Sequence, residues 1–317
     1  MHYLQTFWSV WIEIIYVFLL IFIGIFAKKL NIISSEGSKS LSGILMNIAW
    51  PALLFSVMLK KCNWNLIKEN FALILIGALI VVVGYIIGII GAKIGKISKP
   101  RRSVFLYACM INNYSFLPLP IVLILFGEKG VVLLALCNLG TILVQWTLGI
   151  HIVTAHRLGI SFLKKIVNMP LIAIVLGMIL SGFHPSFPKP VADLGLVFMR
   201  LLSALGQTTV PIAMLIAGFV LADIHYLKVF KDKNVILINV LRLIVIPICI
   251  LILISFFNIP VMSRKVASII AIMPVAIAVS VIIKQYGGDE KFAASVIYST
   301  TLLSIITIPA FLAIILV

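Results

Sequence analysis

Acidic side chains are scarce in this chain, with nine Asp and Glu against 25 Lys and Arg in 317 residues. No Asp falls inside an apolar run, and Glu13 is the one Glu near such a run. Carriers that exchange protons place a carboxylate or histidine relay in the membrane, so this scarcity argues against a proton relay. Cysteine is equally thin. Cys62, Cys109, Cys137 and Cys249 are scattered without a C-x-x-C pair, which leaves no zinc ribbon or disulfide framework to expect. Three of them read as membrane packing residues and Cys62 as a loop-edge residue. The five histidines share no helix face with a second ligand, so no metal site and no cofactor is expected. No Ser-His-Asp, H-E-x-x-H or G-x-x-x-x-G-K-[ST] pattern occurs, and neither catalysis nor ATP hydrolysis is expected. The N-terminus lacks a basic segment and an A-x-A site, so the first apolar run reads as a retained span.

What is present is apolar. Hydrophobic residues make up 63% of the chain and charged residues 11%, where a soluble domain is nearer half and a quarter. Ten runs are long enough to cross a bilayer. They cover about 9–27, 41–59, 71–91, 103–126 and 130–153, then 167–182, 194–221, 235–257, 266–283 and 292–317. The reading is an all-α polytopic membrane protein. The formal charge of +16 does not point to nucleic acid, because the cations sit in short loops between spans and suit anionic lipid. Sixteen Lys and Arg fall in the loops after odd-numbered spans and seven in the even loops and termini; Arg200 and Arg242 lie within spans. Positive loops stay inside, so the odd loops are expected in the cytoplasm and both termini outside the cell membrane.

A repeat is visible at an offset of 160. It relates Pro51 to Pro211, Gly127 to Gly287, Phe126 to Tyr286, and T-I-L at Thr141 to T-L-L at Thr301. Two halves of five spans result, 1–153 and 167–317, joined by a short cytoplasmic linker at 154–166. An odd number of spans per half forces the second half to be inverted, which suits alternating access.

Two spans carry breaks at matching places. In span four, I-N-N-Y-S-F-L-P-L-P covers 111–120; in span nine, M-P-V-A-I-A covers 273–278. Broken backbone in a membrane survives only inside protein or beside a watery cavity. Proline lacks the N–H and disrupts a helix interior, so the second half-helices should begin near Leu119 and Val275. Two helix N-termini meeting at mid-membrane would make an anion site without a charged side chain. The candidate solute-binding residues are therefore Asn112, Asn113, Tyr114, Ser115, Pro120, Pro274 and Val275. The simpler alternative is that Pro118, Pro120 and Pro274 only kink ordinary spans. Asn138, Thr141 and Gln145 share one face of span five and either contact solute or bond neighbouring helices. Tyr298, Thr301 and Ser304 of span ten are expected against the crossover. Arg242 either attracts the anion or caps the broken helices.

Several stretches together resemble the auxin efflux carrier family, in particular its short bacterial members. They are G-I-F-A-K-K-L-N-I-I at 24–33, L-S-G-I-L-M-N-I-A-W-P-A-L-L-F at 41–55, and N-Y-S-F-L-P-L-P at 113–120, similar to the family's N-T-G-F-L-G-L-P. L-R-L-I-V-I-P at 241–247 and the segment 273–304 complete the likeness, which covers nearly the whole chain. The resemblance implies a ten-span inverted-repeat fold, shared with bile acid symporters and some sodium/proton antiporters. In it spans one, two, six and seven form a dimerising scaffold, and spans three to five and eight to ten form a moving transport domain. It implies export or import of small carboxylates such as malate, malonate or the auxin indole-3-acetate, with solute near Asn113, Pro120 and Pro274. Tyr114 and Pro118 depart from the family's small threonine and glycine and reshape that pocket. The expected function is secondary transport of a small organic anion by an elevator-type movement, with lipids and a second copy of the chain as partners. The rivals are a sodium- or proton-coupled carrier on the same fold and a non-transporting membrane receptor.

Overall fold

Proline and glycine decide where the helices of this chain stop. The computed structural model describes residues 2–99, 101–149, 151–152, 169–182, 189–222, 227–286 and 288–316. The N-terminal half holds α1 (His2–Lys29), α2 (Ser35–Ile44), α3 (Trp50–Lys61), α4 (Trp64–Glu69), α5 (Ala72–Ile94), α6 (Arg101–Met110) and α7 (Pro118–Val144). The C-terminal half holds α8 (Met169–Ser181), α9 (Lys189–Gln207), α10 (Thr209–Ala222), α11 (Lys233–Val240), α12 (Ile246–Ser255), α13 (Val261–Ala271), α14 (Ala278–Tyr286) and α15 (Glu290–Ile315). Six helical stretches among the described residues are long and apolar enough to cross a membrane: Glu36–Lys61, Ala72–Ile94, Pro118–Gly149, Asp193–Phe219, Lys233–Ser255 and Glu290–Ile315. Helix α8 is apolar but shorter. The chain is a polytopic membrane protein built from helices.

Pro51 has no N–H to give the carbonyl four residues back, and the turn before it, Leu45–Ala49, widens to a π-helix between α2 and α3. Pro247 does the same after the π-turn Leu241–Val245, which joins α11 to α12 and holds Arg242. Pro211 follows the interruption between α9 and α10. Helix α7 is two helices meeting at Gly127, where φ is 61° and ψ −160°. A Cβ there would meet no atom within 4 Å, so the requirement for glycine is torsional rather than steric.

Polar contacts group the helix ends. Arg101 at the start of α6 donates to Asp232 at 2.7 Å and to Asp289 at 3.1 Å. Those two carboxylates are the N-caps of α11 and α15, so the ends of three helices from distant parts of the chain meet on one face. Lys61 and Glu128 pair at 3.7 Å, and the Lys265 ammonium donates to the Leu316 carbonyl at 2.9 Å. The Arg101 and Lys61 contacts join loops of the same parity in the span numbering expected from sequence.

Glycine sets the closest helix approaches. A Cβ on Gly77 would lie 1.9 Å from the Cys137 carbonyl oxygen, and one on Gly140 would lie 1.8 Å from that of Ile74. Backbone-to-backbone packing of α5 on α7 therefore needs both, as in other membrane helix pairs. Gly218 of α10 packs as closely on Ile21 of α1, and Gly177 of α8 on Phe55 and Met58 of α3. These contacts fall into two sets, one among α1, α3, α8, α9 and α10, the other among α5, α6, α7 and the π-turn at Leu241.

Candidate functional site

Both expected breaks are open backbone. The first runs from 111 to 117 between α6 and α7, the second from 272 to 277 between α13 and α14. They pair as a short antiparallel bridge between Asn112 and Val275. The Asn113 N–H donates to the Pro274 carbonyl at 2.7 Å, and the Ala276 N–H to the Ile111 carbonyl at 3.2 Å. Backbone freed by one interruption thus satisfies backbone freed by the other, as a low-dielectric setting requires.

Two side chains serve further carbonyls of the helix ends. Pro274 cannot reach Ile270, four residues back, and the Asn112 Nδ2 group donates to that carbonyl instead. Arg242 is fully buried. Its guanidinium donates to Ala271 at 2.8 Å, Cys109 at 3.1 Å and Met273 at 3.2 Å. These carbonyls close the C-terminal ends of α6 and α13, where helix dipoles gather negative charge. Of the two roles open to Arg242, the structure displays capping.

The second halves begin at Pro118 and Ala278, one residue before and three residues after the positions expected from sequence. Pro118 and Pro120 therefore do not make the first break; they occupy the first turn of α7, where a missing N–H costs nothing. The Asn113 Oδ1 atom accepts from the Phe116 and Leu117 N–H groups at 3.1 and 3.4 Å, capping that helix. Prolines and cap together leave α7 few free N–H groups. At α14 the N–H groups of Ile277 and Ala278 make no backbone hydrogen bond. The two helix ends are thus unequal, contrary to the symmetrical expectation.

A cavity of about 100 Å³ lies beside the paired breaks. Asn112, Asn113, Tyr114 and Ser115 form one side, and Ala276, Ile277 and Ala278 another. Asn138 and Gln145 of α7 and its π-turn reach it as well. Gln145 is held on both sides, accepting from the Tyr114 hydroxyl at 2.7 Å and donating to that of Tyr107 at 3.3 Å. The amide oxygens of Asn112 and Asn138 are buried with no hydrogen-bond partner among the described residues, and each such group costs about 1–3 kcal/mol until something donates to it.

Four expected site residues lie off the cavity wall. Thr141 donates to the Gly77 carbonyl at 3.1 Å, serving the α5–α7 contact. Val275 spends its N–H on the Thr300 hydroxyl at 3.4 Å. Pro120 and Pro274 act through backbone geometry. On α15, Thr300 touches the crossover, while Ser304 bonds within its own helix. The side chain of Glu13 lies outside the described residues. Sequence reasoning missed the apolar walls, Met46, Trp50 and Leu54 from the second span and Pro170 and Ile174 of α8. Trp50 meets Phe116 with ring centroids 5.7 Å apart. W-P at 50–51 was the available signal, a large aromatic at a helix interruption. Among the described residues no three His, Cys, Asp or Glu gather as a metal site.

The pattern of the membrane transport protein family matches residues 9–312. An uncharacterized transporter of Methanocaldococcus jannaschii is 29% identical over 305 residues, covering 93% of this chain and 95% of that protein. An uncharacterized transporter of Methanothermobacter thermautotrophicus is 24% identical over 300 residues, covering 92% and 94%. Paired broken helices, a cavity beside them and a match along almost the whole chain agree, and the protein belongs to the membrane transport protein family, that of the auxin efflux carriers.

Proposed function

We propose that this protein is a secondary carrier of small organic anions in the cell membrane, with solute bound beside the crossover of α6–α7 and α13–α14. The observation that carries the reading is the antiparallel pairing of 111–113 with 274–276 next to the cavity. Unpaired N–H groups of Ile277 and Ala278 at a helix start suit a carboxylate. The Asn113 Nδ2 group, for which no hydrogen bond is seen among the described residues, adds a second donor. The unpartnered Asn112 and Asn138 oxygens suit a hydroxyl on the same solute. The cavity is small against the roughly 300–1,000 Å³ of drug-sized sites, which favours a mono- or dicarboxylate such as malate or malonate over an indole acid.

The proposed architecture is ten spans in two inverted halves. It is supported by the second half-helices starting 160 residues apart, at Pro118 and Ala278. The two sets of glycine contacts favour an elevator movement, with α1, α3, α8, α9 and α10 as scaffold and dimer surface. The parity of the loop contacts fits odd loops in the cytoplasm and both termini outside.

A thermal-shift screen of purified protein against mono-, di- and hydroxycarboxylates and indole acids tests the site. At a hundredfold excess over Kd a bound solute stabilises by about 2.7 kcal/mol. Proteoliposome currents at equal pH on both sides then test transport. Uptake that vanishes without a pH gradient at constant membrane potential would reject the uncoupled anion carrier. A second reading, sodium coupling on the same fold, rests on the two unpartnered amide oxygens. Replacing sodium by choline abolishes flux only in that case.

A further inference from the structure

A larger cavity lies away from the crossover. It is a groove of about 350 Å³ between α1, the end of α10 and α15. Phe18, Phe22 and Phe26 form its α1 wall, Leu302 and Ile305 face them from α15, and Lys29 closes one end. Phe22 and Phe26 are 46% and 61% exposed, so the groove opens sideways, toward the bilayer in a membrane protein. Its long axis follows one stripe of α1 from Phe18 to Lys29. Eleven residues at 1.5 Å per residue give about 16 Å, close to half of a hydrocarbon core of about 30 Å. The groove therefore has the length of one leaflet, with an ammonium at the headgroup end.

Charge singles out the kind of lipid. Lys28 is turned onto the Phe219 ring, 4.2 Å from its centroid. Lys29 is exposed and forms no ion pair among the described residues. A cation at the mouth of an acyl-sized groove, with no carboxylate paired to it among the described residues, is complementary to a phosphate whose headgroup carries no compensating amine. We propose that this groove is a binding site for one anionic phospholipid, its acyl chain between α1 and α15 and its phosphate at Lys29. The site needs only the membrane location of the chain and is independent of the anion-carrier reading.

The full-length protein, purified in mild detergent, is mixed with phosphatidylglycerol or phosphatidylcholine of identical acyl chains. Retained lipid is counted by native mass spectrometry, and stabilisation is followed by thermal shift. Wild type retains one phosphatidylglycerol in preference to phosphatidylcholine. A single Lys near anionic lipid is worth about 1 kcal/mol, so Lys29→Gln lowers that preference roughly fivefold. Leu302→Trp fills the groove and releases both lipids. Lys29→Gln changes only an exposed side chain, so it reads the proposal even where Leu302→Trp folds poorly. Equal retention of the two lipids by wild type, an unchanged preference in Lys29→Gln, or undiminished retention in folded Leu302→Trp overturns the site.

Discussion

Asn113 does two jobs with two ends of one amide, and Asn113→Asp separates them. The oxygen caps α7 by accepting from Phe116 and Leu117 at 3.1 and 3.4 Å; the Nδ2 group is the proposed donor to solute. Alanine removes both functions. Loss of the cap costs about 1 kcal/mol, a fall of about 1.5 °C in a chain of this length. Loss of a hydrogen bond to a charged group costs about 1.5–3 kcal/mol, roughly 10- to 150-fold in affinity. Aspartate has the same shape and remains an acceptor, so the cap survives. It loses the donor and sets a negative charge against the anion, which at about 4 Å and an effective dielectric near 20 adds about 4 kcal/mol. The combined penalty exceeds roughly 1,000-fold in affinity. Thermal shift without solute should rank wild type and Asn113→Asp above Asn113→Ala. Solute-dependent shift should rank wild type above Ala, and Ala above Asp. A protonated Asp still donates one bond, so binding is measured at pH 6 and 8.5, and a loss that deepens at the higher pH identifies the charge. Wild-type affinity in Asn113→Asp at pH 8.5 would refute a donor role for Asn113 and remove the side-chain half of the proposed anion site.

Arg242→Met leaves the carbonyls of Cys109, Ala271 and Met273 without a donor. At about 1–3 kcal/mol each, partly offset by no longer burying a charge, the variant should melt several degrees lower. Arg242→Lys should fall between, since an ammonium cannot fork. Full stability of Arg242→Met with only anion affinity reduced would make Arg242 a solute residue. Pro274→Ala supplies an N–H that competes with Asn112 for the Ile270 carbonyl. Flux should fall sharply, and adding Asn112→Ala should make little further difference because both changes act on one bond. Flux near the wild-type rate would reduce Pro274 to a kink. Cysteines placed at the exposed Lys99 and Lys129 should react with an impermeant reagent from inside and outside, respectively. Labelling in the opposite sense would invert the proposed topology.

Much of the architecture was legible in the order of residue types. Apolar runs with cations only between them require membrane helices, because lipid offers no partner to an open backbone. Asn-Asn and Ser in one run and Pro274 in the other marked the breaks, since a residue without an N–H inside a helix removes a helical bond, while Pro118 and Pro120 in the first turn of α7 mark where that helix resumes. The exact starts of α7 and α14 were less legible. The start of α7 depends on Asn113 turning its oxygen onto Phe116 and Leu117.

The tertiary structure alone decided who pairs with whom. Nothing local to 111–113 says that its backbone will meet 274–276, or that Asn112 and Arg242 will serve carbonyls at the helix ends. The sequence offered Arg242 two roles, and only the tertiary structure brings three carbonyls onto its guanidinium. Thr141 shares a helix face with Asn138 and Gln145, yet the close approach permitted by Gly77 claims its hydroxyl. Trp50 and Ile174 reach the cavity as apolar side chains, with no polar residue beside them in sequence to mark a site. Spacing along a chain specifies which side chains share a face. Which donor faces which acceptor across more than a hundred residues follows from how closely whole helices approach, and glycines at their crossings set that distance.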